Sequence, residues 1–310
     1  LAGESASDNV WTITGAKTGE ILGVNFINFD TLQGGSAKDN YVLDTTDTGD
    51  MLFDGAGGVN TITGNVAPTT WNVLTANTGN VSGFTFLGIN NLVGGAGVDQ
   101  FYVSAGIDNI STGAGNDEVT LYNTVADDGV TSLDLGANDD TLTIDSLDSV
   151  TDIIQGGDDS DTLVLTGLSK VLNLNNISSF EVLESNSANS NTLQATDSEN
   201  IWFVNTDNKG TVKLGADTAI NFDGFIHLVG GSEKDTFTVS AAINSISSMA
   251  GDDEITIEST VTTGQINNID AGANNDRIDV HSADSVASLI VGGDGTDTLG
   301  ITDSGETLTL

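Results

Sequence analysis

Eight aspartates close eight related six-residue phrases. In one stretch the phrases are GGAGVD, TGAGND, LGANDD and GGDDSD, ending at Asp99, Asp117, Asp140 and Asp161. In a later stretch they are GGSEKD, SMAGDD, AGANND and GGDGTD, ending at Asp235, Asp253, Asp276 and Asp297. The steps between successive aspartates are 18, 23 and 21 residues in both stretches, and each aspartate lies 136 residues from its counterpart. Three unequal spacings kept in order identify a duplication. A carboxylate beside a turn that points backbone carbonyls inward makes an oxygen-rich, nitrogen-poor donor set. Such sets select hard cations, and flexible oxygen cages suit Ca²⁺ better than Mg²⁺.

The turn and the strand that hold the carboxylate are both written in the phrase. Its fourth position is Gly97, Gly115, Asn138, Asp159, Glu233, Gly251, Asn274 and Gly295. All but Glu233 are residues that tolerate a left-handed backbone, so this position is expected to have positive φ. Two and four residues after the aspartate come Phe101/Val103, Val119/Leu121, Leu142/Ile144 and Leu163/Leu165. The second stretch has Phe237/Val239, Ile255/Ile257, Ile278/Val280 and Leu299/Ile301. All are apolar at period two, the pattern of a half-buried strand. One turn offers too few ligands for a calcium ion, whereas two stacked turns supply enough. Steps of this size suit one coil of a β-solenoid per phrase, with strands about 4.8 Å apart and carboxylates stacked on one edge.

A second element recurs. VWTITGAKTGE at Trp11, TWNVLTANTGN at Trp71 and IWFVNTDNKGT at Trp202 each lead into a phenylalanine-rich phrase and a glycine pair. Trp to Phe spans 15, 15 and 20 residues (Phe26, Phe86, Phe222), so the third copy carries an insertion near VKLGAD. The reading is therefore a partial Trp-led repeat at 1–63, a full repeat with four aspartate turns at 64–197, and a second copy at 198–310 that stops within the repeat. The opening residues LAGESASDNV are polar and lack Met, which reads as a chain processed or excised from a longer one. In the first repeat GGSAKD ends at Asp39, and GAGGVN places Asn60 where the aspartate belongs.

Composition sets the outer limits. With 45 acidic and 7 basic side chains the formal net charge is −38, which disfavours nucleic acid and anionic membranes and favours a bound cation. No apolar run approaches the roughly 18 residues of a membrane span. The chain has no Cys, hence no disulfide framework and no thiolate metal site. Something else must staple the fold.

The phrase resembles the hemolysin-type, or repeats-in-toxin, calcium-binding nonapeptide GGxGxDxUx, which builds a parallel β-roll. GGAGVDQFY at 94–102 and GGDGTDTLG at 292–300 match it in full, and the other copies match in part. The resemblance implies that Asp99, Asp117, Asp140, Asp161, Asp235, Asp253, Asp276 and Asp297 bind Ca²⁺ through their carboxylates. It also implies carbonyl ligands from the glycine turns, at Gly94, Gly97, Gly115, Gly156, Gly251, Gly292 and Gly295. The Trp-led module is similar to repeats of very large secreted or surface-anchored bacterial proteins. Only one phrase occurs per coil here, and intervening turns such as SAGIDNIS are not the motif, so calcium is expected on one edge. Ala37, Glu233, Met249 and Asn60 replace motif residues, which weakens the expectation of sites at Asp39 and Asn60 and of full-strength turns at Asp235 and Asp253.

The expectation is an all-β, right-handed parallel β-solenoid with one calcium-binding turn per coil, structural rather than enzymatic. It would be a segment of an extracellular bacterial adhesin, surface layer or matrix filament. Its partners would be calcium and copies of itself or adjacent repeats stacked end to end, with cell-surface glycans as a further partner. It would contact no nucleic acid and insert in no membrane. A polysaccharide-acting enzyme is the first alternative, but the repeat accounts for the aspartates and basic residues for an acidic sugar are scarce. Ice binding is the second, and it would need a regular Thr/Asn array. The outward residues Gln100/Tyr102, Glu118/Thr120 and Arg277/Asp279 are irregular. Trp11, Trp71 and Trp202 read as packing residues, and His227 and His281 as structural or surface side chains.

Overall fold

The computed structural model describes residues 1–4, 7–122, 129–145 and 150–303. The chain is all-β, with short 3-10 turns as its only helical elements among the described residues. Among the described residues no helix is long and apolar enough to cross a membrane. It divides into two compact units: residues 1–164 with 177–180, and residues 165–176 with 181–310. Each is a β-solenoid of parallel stacked coils.

In the first unit the strands Gln100–Val103, Glu118–Leu121 and Thr141–Ile144 pair in parallel on one face. Their register sets Phe101 beside Val119 and Val119 beside Leu142. The offsets equal the spacing of the aspartates, so each phrase is one coil. The opposite face stacks Asn91–Gly95, Ile107–Gly113, Val130–Ala137 and Val150–Asp158. The second unit repeats the plan: Asp235–Val239, Glu254–Ile257, Arg277–Val280 and Thr298–Ile301 on one face, and His227–Val229, Ile243–Ser247, Ile266–Asp270 and Val286–Val291 on the other.

The alternation places the core as expected. Of the sixteen inward residues, fourteen are buried. The two others, Leu299 and Ile301, lie on the last strand, where Leu299 is 44% exposed.

The Trp-led modules depart from simple coiling. Thr70–Thr75, which carries Trp71, pairs in parallel with Gln100–Val103 on one side. On its other side it pairs antiparallel with Thr78–Val81, which pairs antiparallel with Phe84–Leu87. That last strand rejoins the parallel stack against Leu52–Asp54. The chain thus makes a three-stranded antiparallel excursion inside a parallel solenoid. Its second turn, Ser82-Gly83, has positive φ at both residues, the signature of a two-residue hairpin turn, and Leu22-Gly23 repeats it in the first module. In the third module the insertion lengthens the middle strand to Lys209–Leu214 and the turn after it.

A glycine in each middle strand makes room for an aromatic ring. A Cβ on Gly79 would lie 2.8 Å from Phe86 Cζ, and one on Gly210 3.0 Å from Phe222 Cζ. All three tryptophans are fully buried. Each stacks on the aromatic residue two positions after an aspartate of the next coil: Trp71 on Phe101 with ring centroids 5.3 Å apart, Trp202 on Phe237 at 5.4 Å, and Trp11 on Tyr41 at 5.8 Å. The stack ties each excursion to the coil that follows. Trp71→Ala should therefore cost about 3–5 kcal/mol in urea unfolding. A loss below about 1 kcal/mol would show that this stack is not core.

Candidate metal centre

Each aspartate of the phrase stands at the start of a core strand, where the backbone leaves the turn. There its side chain does a backbone group's work. Asp117 Oδ1 accepts the backbone N–H of Asp99 at 2.7 Å, Asp140 Oδ1 that of Asp117 at 2.7 Å, and Asp161 Oδ1 that of Asp140 at 2.9 Å. Asp99 Oδ1 takes the N–H of Thr69, two residues before Trp71. The second unit repeats the series. Asp253, Asp276 and Asp297 accept from Asp235, Asp253 and Asp276 at 2.7, 2.9 and 3.0 Å, and Asp235 Oδ1 accepts from Asn200. The predicted carboxylates therefore form one ladder per unit, one rung per coil. They line the inside of the turn: Asp99, Asp117, Asp140, Asp161, Asp235, Asp253 and Asp276 are all buried, and only Asp297 on the last coil is half-buried. Among the described residues no three acidic or histidine side chains converge on one point.

The glycines have separate roles. At the first position, a Cβ on Gly94, Gly156 or Gly292 would lie 2.5, 2.8 or 2.7 Å from the Oδ2 of Asp99, Asp161 or Asp297. Glycine is what lets the carboxylate fold back over the turn. At the fourth position φ is positive at Gly115, Asn138, Asp159, Gly251, Asn274 and Gly295, as expected. Gly97 and Glu233 do not share it; Gly97 is required instead because a Cβ there would meet the Ala67 carbonyl carbon at 2.5 Å. The second position, which the sequence reading passed over, is also left-handed at Gly95, Gly113, Gly136, Gly157, Met249, Gly272 and Gly293. Its carbonyl joins the coils: Ala114 N–H donates to Gly95 O at 2.9 Å and Ala273 N–H to Met249 O at 2.9 Å.

The second carboxylate oxygen is the unusual one. Oδ2 of Asp99, Asp117, Asp140, Asp253 and Asp276 is buried and receives no hydrogen bond. Beside Asp99, Asp117 and Asp253 lie the hydroxyls of Thr69, Thr112 and Ser248, which oppose the effect of burial on those carboxyls while donating to Ala67 O, Leu135 O and Ala271 O. Two other carboxylates are satisfied: Asp39 Oδ2 accepts Gly35 N–H at 2.8 Å, and Asp235 Oδ2 accepts Gly231 N–H at 2.6 Å. A buried anionic oxygen without a donor is costly unless a proton or a cation meets it. Burial pushes Asp99 up to about 7, helped by the charge of Asp117, and pushes Asp140 up to about 8 against the N–H of Asp117. Asp253 and Asp235 rise to about 6, again through burial, with the Asp235 and Gly231 amides opposing. Burial raises Asp117 and Asp276 as well.

Asparagines share the ladder: the repeat places Asn60 in the aspartate's position, but Asn9, Asn191 and Asn200 lie outside the phrases. Asn60 Oδ1 accepts Asp39 N–H at 3.0 Å, and Asn191 Oδ1 accepts Lys170 N–H at 2.7 Å. Asn9 and Asn200 stand two residues before Trp11 and Trp202, and donate through Nδ2 to the Oδ1 of Asp39 and Asp235. That common offset before Trp was the available signal. Each histidine makes a contact with the next coil: His227 Nδ1 meets Ser245 Oγ at 2.7 Å, and His281 Nδ1 meets Thr302 Oγ1 at 3.3 Å.

Fold and ladder together define a β-solenoid whose coils are pinned by buried Asp and Asn side chains. No protein-family model matches the chain, and no curated protein matches it. The donor set fits a hard cation, since carboxylate oxygens without donors lie in turns lined by backbone carbonyls. Carboxyl groups whose folded values lie above the ordinary 3.9 bind more protons folded than unfolded, so they favour folding in acid and disfavour it as pH rises through the folded value. In metal-free buffer the melting temperature should fall between pH of about 4 and about 8, the window set by Asp99 and Asp140. A melting temperature that rises through that window would show that these carboxyls are not buried in the folded chain.

Proposed function

We propose that the chain is a calcium-stabilised β-solenoid segment of an extracellular bacterial surface or matrix protein, related in its turns to the repeats-in-toxin nonapeptides. The observation that carries this reading is the row of buried, donorless Oδ2 atoms in a chain of net charge −38. Asp99, Asp117, Asp140, Asp253 and Asp276 would hold the ions, and the bound cation would supply positive charge at buried oxygens that otherwise favour a proton. The role is structural rather than catalytic: each of these carboxylates already pins a backbone N–H of the neighbouring coil. The absence of Cys leaves stapling to the ion, and an extracellular setting would suit the reading, because calcium modules there work at about 10⁻⁴–10⁻³ M. Further repeats or other copies of the chain are the partners that would cover apolar side chains such as Val24 and Ile27 (64% and 66% exposed) on the first hairpin and Leu299 on the last strand.

A ligand that binds only the folded chain adds RT ln(1 + [L]/Kd) per site, about 2.7 kcal/mol at a hundredfold excess over Kd. Several sites would rival the whole stability of an ordinary domain, roughly 5–15 kcal/mol. Calcium should therefore raise the melting temperature steeply at neutral pH, and excess chelator should lower it or unfold the chain. Asp117→Ala should weaken calcium binding in titration calorimetry and lower melting even in chelator, because Asp99 N–H loses its acceptor. A melting curve indifferent to chelator would sink the metal reading.

A further inference from the structure

The asparagines of the ladder show what the donorless oxygens require. The two N–H groups of Asn60 Nδ2 are shared among three backbone carbonyls, Gly55 O at 2.9 Å, Gly57 O at 3.2 Å and Gly88 O at 3.0 Å. A Cβ on Gly55 would lie 2.4 Å from Asn60 Nδ2 and 2.3 Å from Gly88 O. At the corresponding glycine, Gly94, a Cβ would lie 2.5 Å from Asp99 Oδ2 and 2.0 Å from Thr112 O. Asp99 Oδ2 thus takes the place of an amide nitrogen, in a recess lined by carbonyl oxygens. Where nitrogen sits, the recess is satisfied. Where oxygen sits, acceptor faces acceptor.

The other asparagines repeat the solution. Asn200 Nδ2 donates to Thr196 O at 2.9 Å, Ser198 O at 2.7 Å and Asp235 Oδ1 at 2.7 Å, and Asn9 Nδ2 to Glu4 O, Ser7 O and Asp39 Oδ1. Asn191 Nδ2 reaches Gly167 O at 2.8 Å and Ser185 Oγ at 2.9 Å. The carboxylates that Asn9 and Asn200 contact, Asp39 and Asp235, each receive a glycine N–H at Oδ2.

We propose that the ladder is built of two kinds of coil. In the first kind, at Asn9, Asp39, Asn60, Asn191, Asn200 and Asp235, an amide donor completes the turn and no ion is needed. In the second kind, at Asp99, Asp117, Asp140, Asp253 and Asp276, the place of that donor is taken by a bound divalent cation. The choice of Asn or Asp, together with the glycine N–H, sets ion dependence coil by coil. The first and third Trp-led modules lie between ion-free coils and carry an Asn clamp, at Asn9 and Asn200, whereas the second, with Thr69 in that place, passes from the ion-free coil of Asn60 to the ion-dependent coil of Asp99. The identity of the ion rests on the calcium reading above; the division of the coils rests on the hydrogen bonds.

The test uses the full chain and three single variants, each melted in excess chelator and in excess calcium, with bound calcium counted by equilibrium dialysis. Asp99→Asn keeps the acceptor for Thr69 N–H and places a donor in the recess. It should melt higher than wild type in chelator, by at least roughly 2–4 °C, and bind about one calcium fewer, in keeping with a single lost site. Asn60→Asp creates an unsatisfied recess, so it should melt lower in chelator and recover with calcium. Asp235→Asn turns an amide against Gly231 N–H or the Asn200 donors, so it should melt lower in both conditions. If Asp99→Asn melts lower than wild type in chelator, or Asn60→Asp leaves chelator melting unchanged, the division of the coils is wrong even where wild type responds to calcium. If wild type ignores calcium while Asp99→Asn still melts higher, the calcium reading fails and the requirement for a donor stands, met by a proton.

Discussion

The structure depends on one hydrogen bond repeated coil after coil: a backbone N–H at the start of a strand donating to the Asp or Asn side chain of the next coil. Parallel strands satisfy one another's backbone groups along their length, but the ladder ends where the chain turns away. The first N–H of each core strand then points to where a neighbouring carbonyl should be and is not. A buried N–H cannot be left unpaired without a cost of about 1–3 kcal/mol. Asp and Asn carry an oxygen at the right reach to replace that carbonyl. Most of the phrase follows from this. The side chain must point inward, so it is buried. It folds back over its own turn, so the residue five positions earlier is glycine in GGAGVD and GGDGTD, where a Cβ would strike Oδ2. The strand that begins there carries its core residues at the second and fourth positions after it.

The Trp-led modules solve a different problem with related parts. An antiparallel excursion interrupts the parallel stack, and its strands must still seat on the coils above and below. The indole stacked on Phe101, or on Phe237, fixes that seat by area and geometry. Asn9, Thr69 and Asn200 sit two residues before the tryptophans and join the excursion to the ladder through amide or backbone N–H groups. Core stacking and edge hydrogen bonding therefore meet within three residues of chain.

Much of this was legible in the sequence. Alternation after each aspartate marks the core strands because the period of two is a direct image of which face is buried. The spacings of 18, 23 and 21 equal the observed register because a solenoid keeps equivalent residues in line. The rest was hidden for identifiable reasons. The hairpins at Leu22-Gly23 and Ser82-Gly83 read in sequence as parts of a repeat, and a repeat says that a unit recurs without saying how it folds. The left-handed second position was masked because glycine there had a ready explanation in the motif. Asn60 read as a damaged aspartate, since a motif written for ligands counts amide for carboxylate as a loss. In the fold its oxygen accepts the Asp39 N–H and its amide faces the backbone carbonyls of the recess. The direction of the carboxylates was also beyond the sequence: a turn aspartate can face solvent or fold inward, and only the pairing of Oδ1 with the neighbouring N–H decides.

Asparagine would serve the N–H contact as well as aspartate and would bring its own donor for the recess. A chain selected only for unconditional stability would therefore carry Asn on every rung. Five rungs instead place an anionic oxygen where an amide nitrogen fits, in a molecule that already has 45 acidic side chains. The direct effect is electrostatic. Successive carboxylates lie one coil apart, so each raises the cost of ionising the next, and burial removes the water that would screen them. A cation at those oxygens would reverse the balance, since it would be attracted by the neighbouring carboxylates as well. On the proposal of a bound cation, stability would be a function of ion supply in the plain coils, and a property of the sequence where Asn, or aspartate with a glycine N–H, holds the turn.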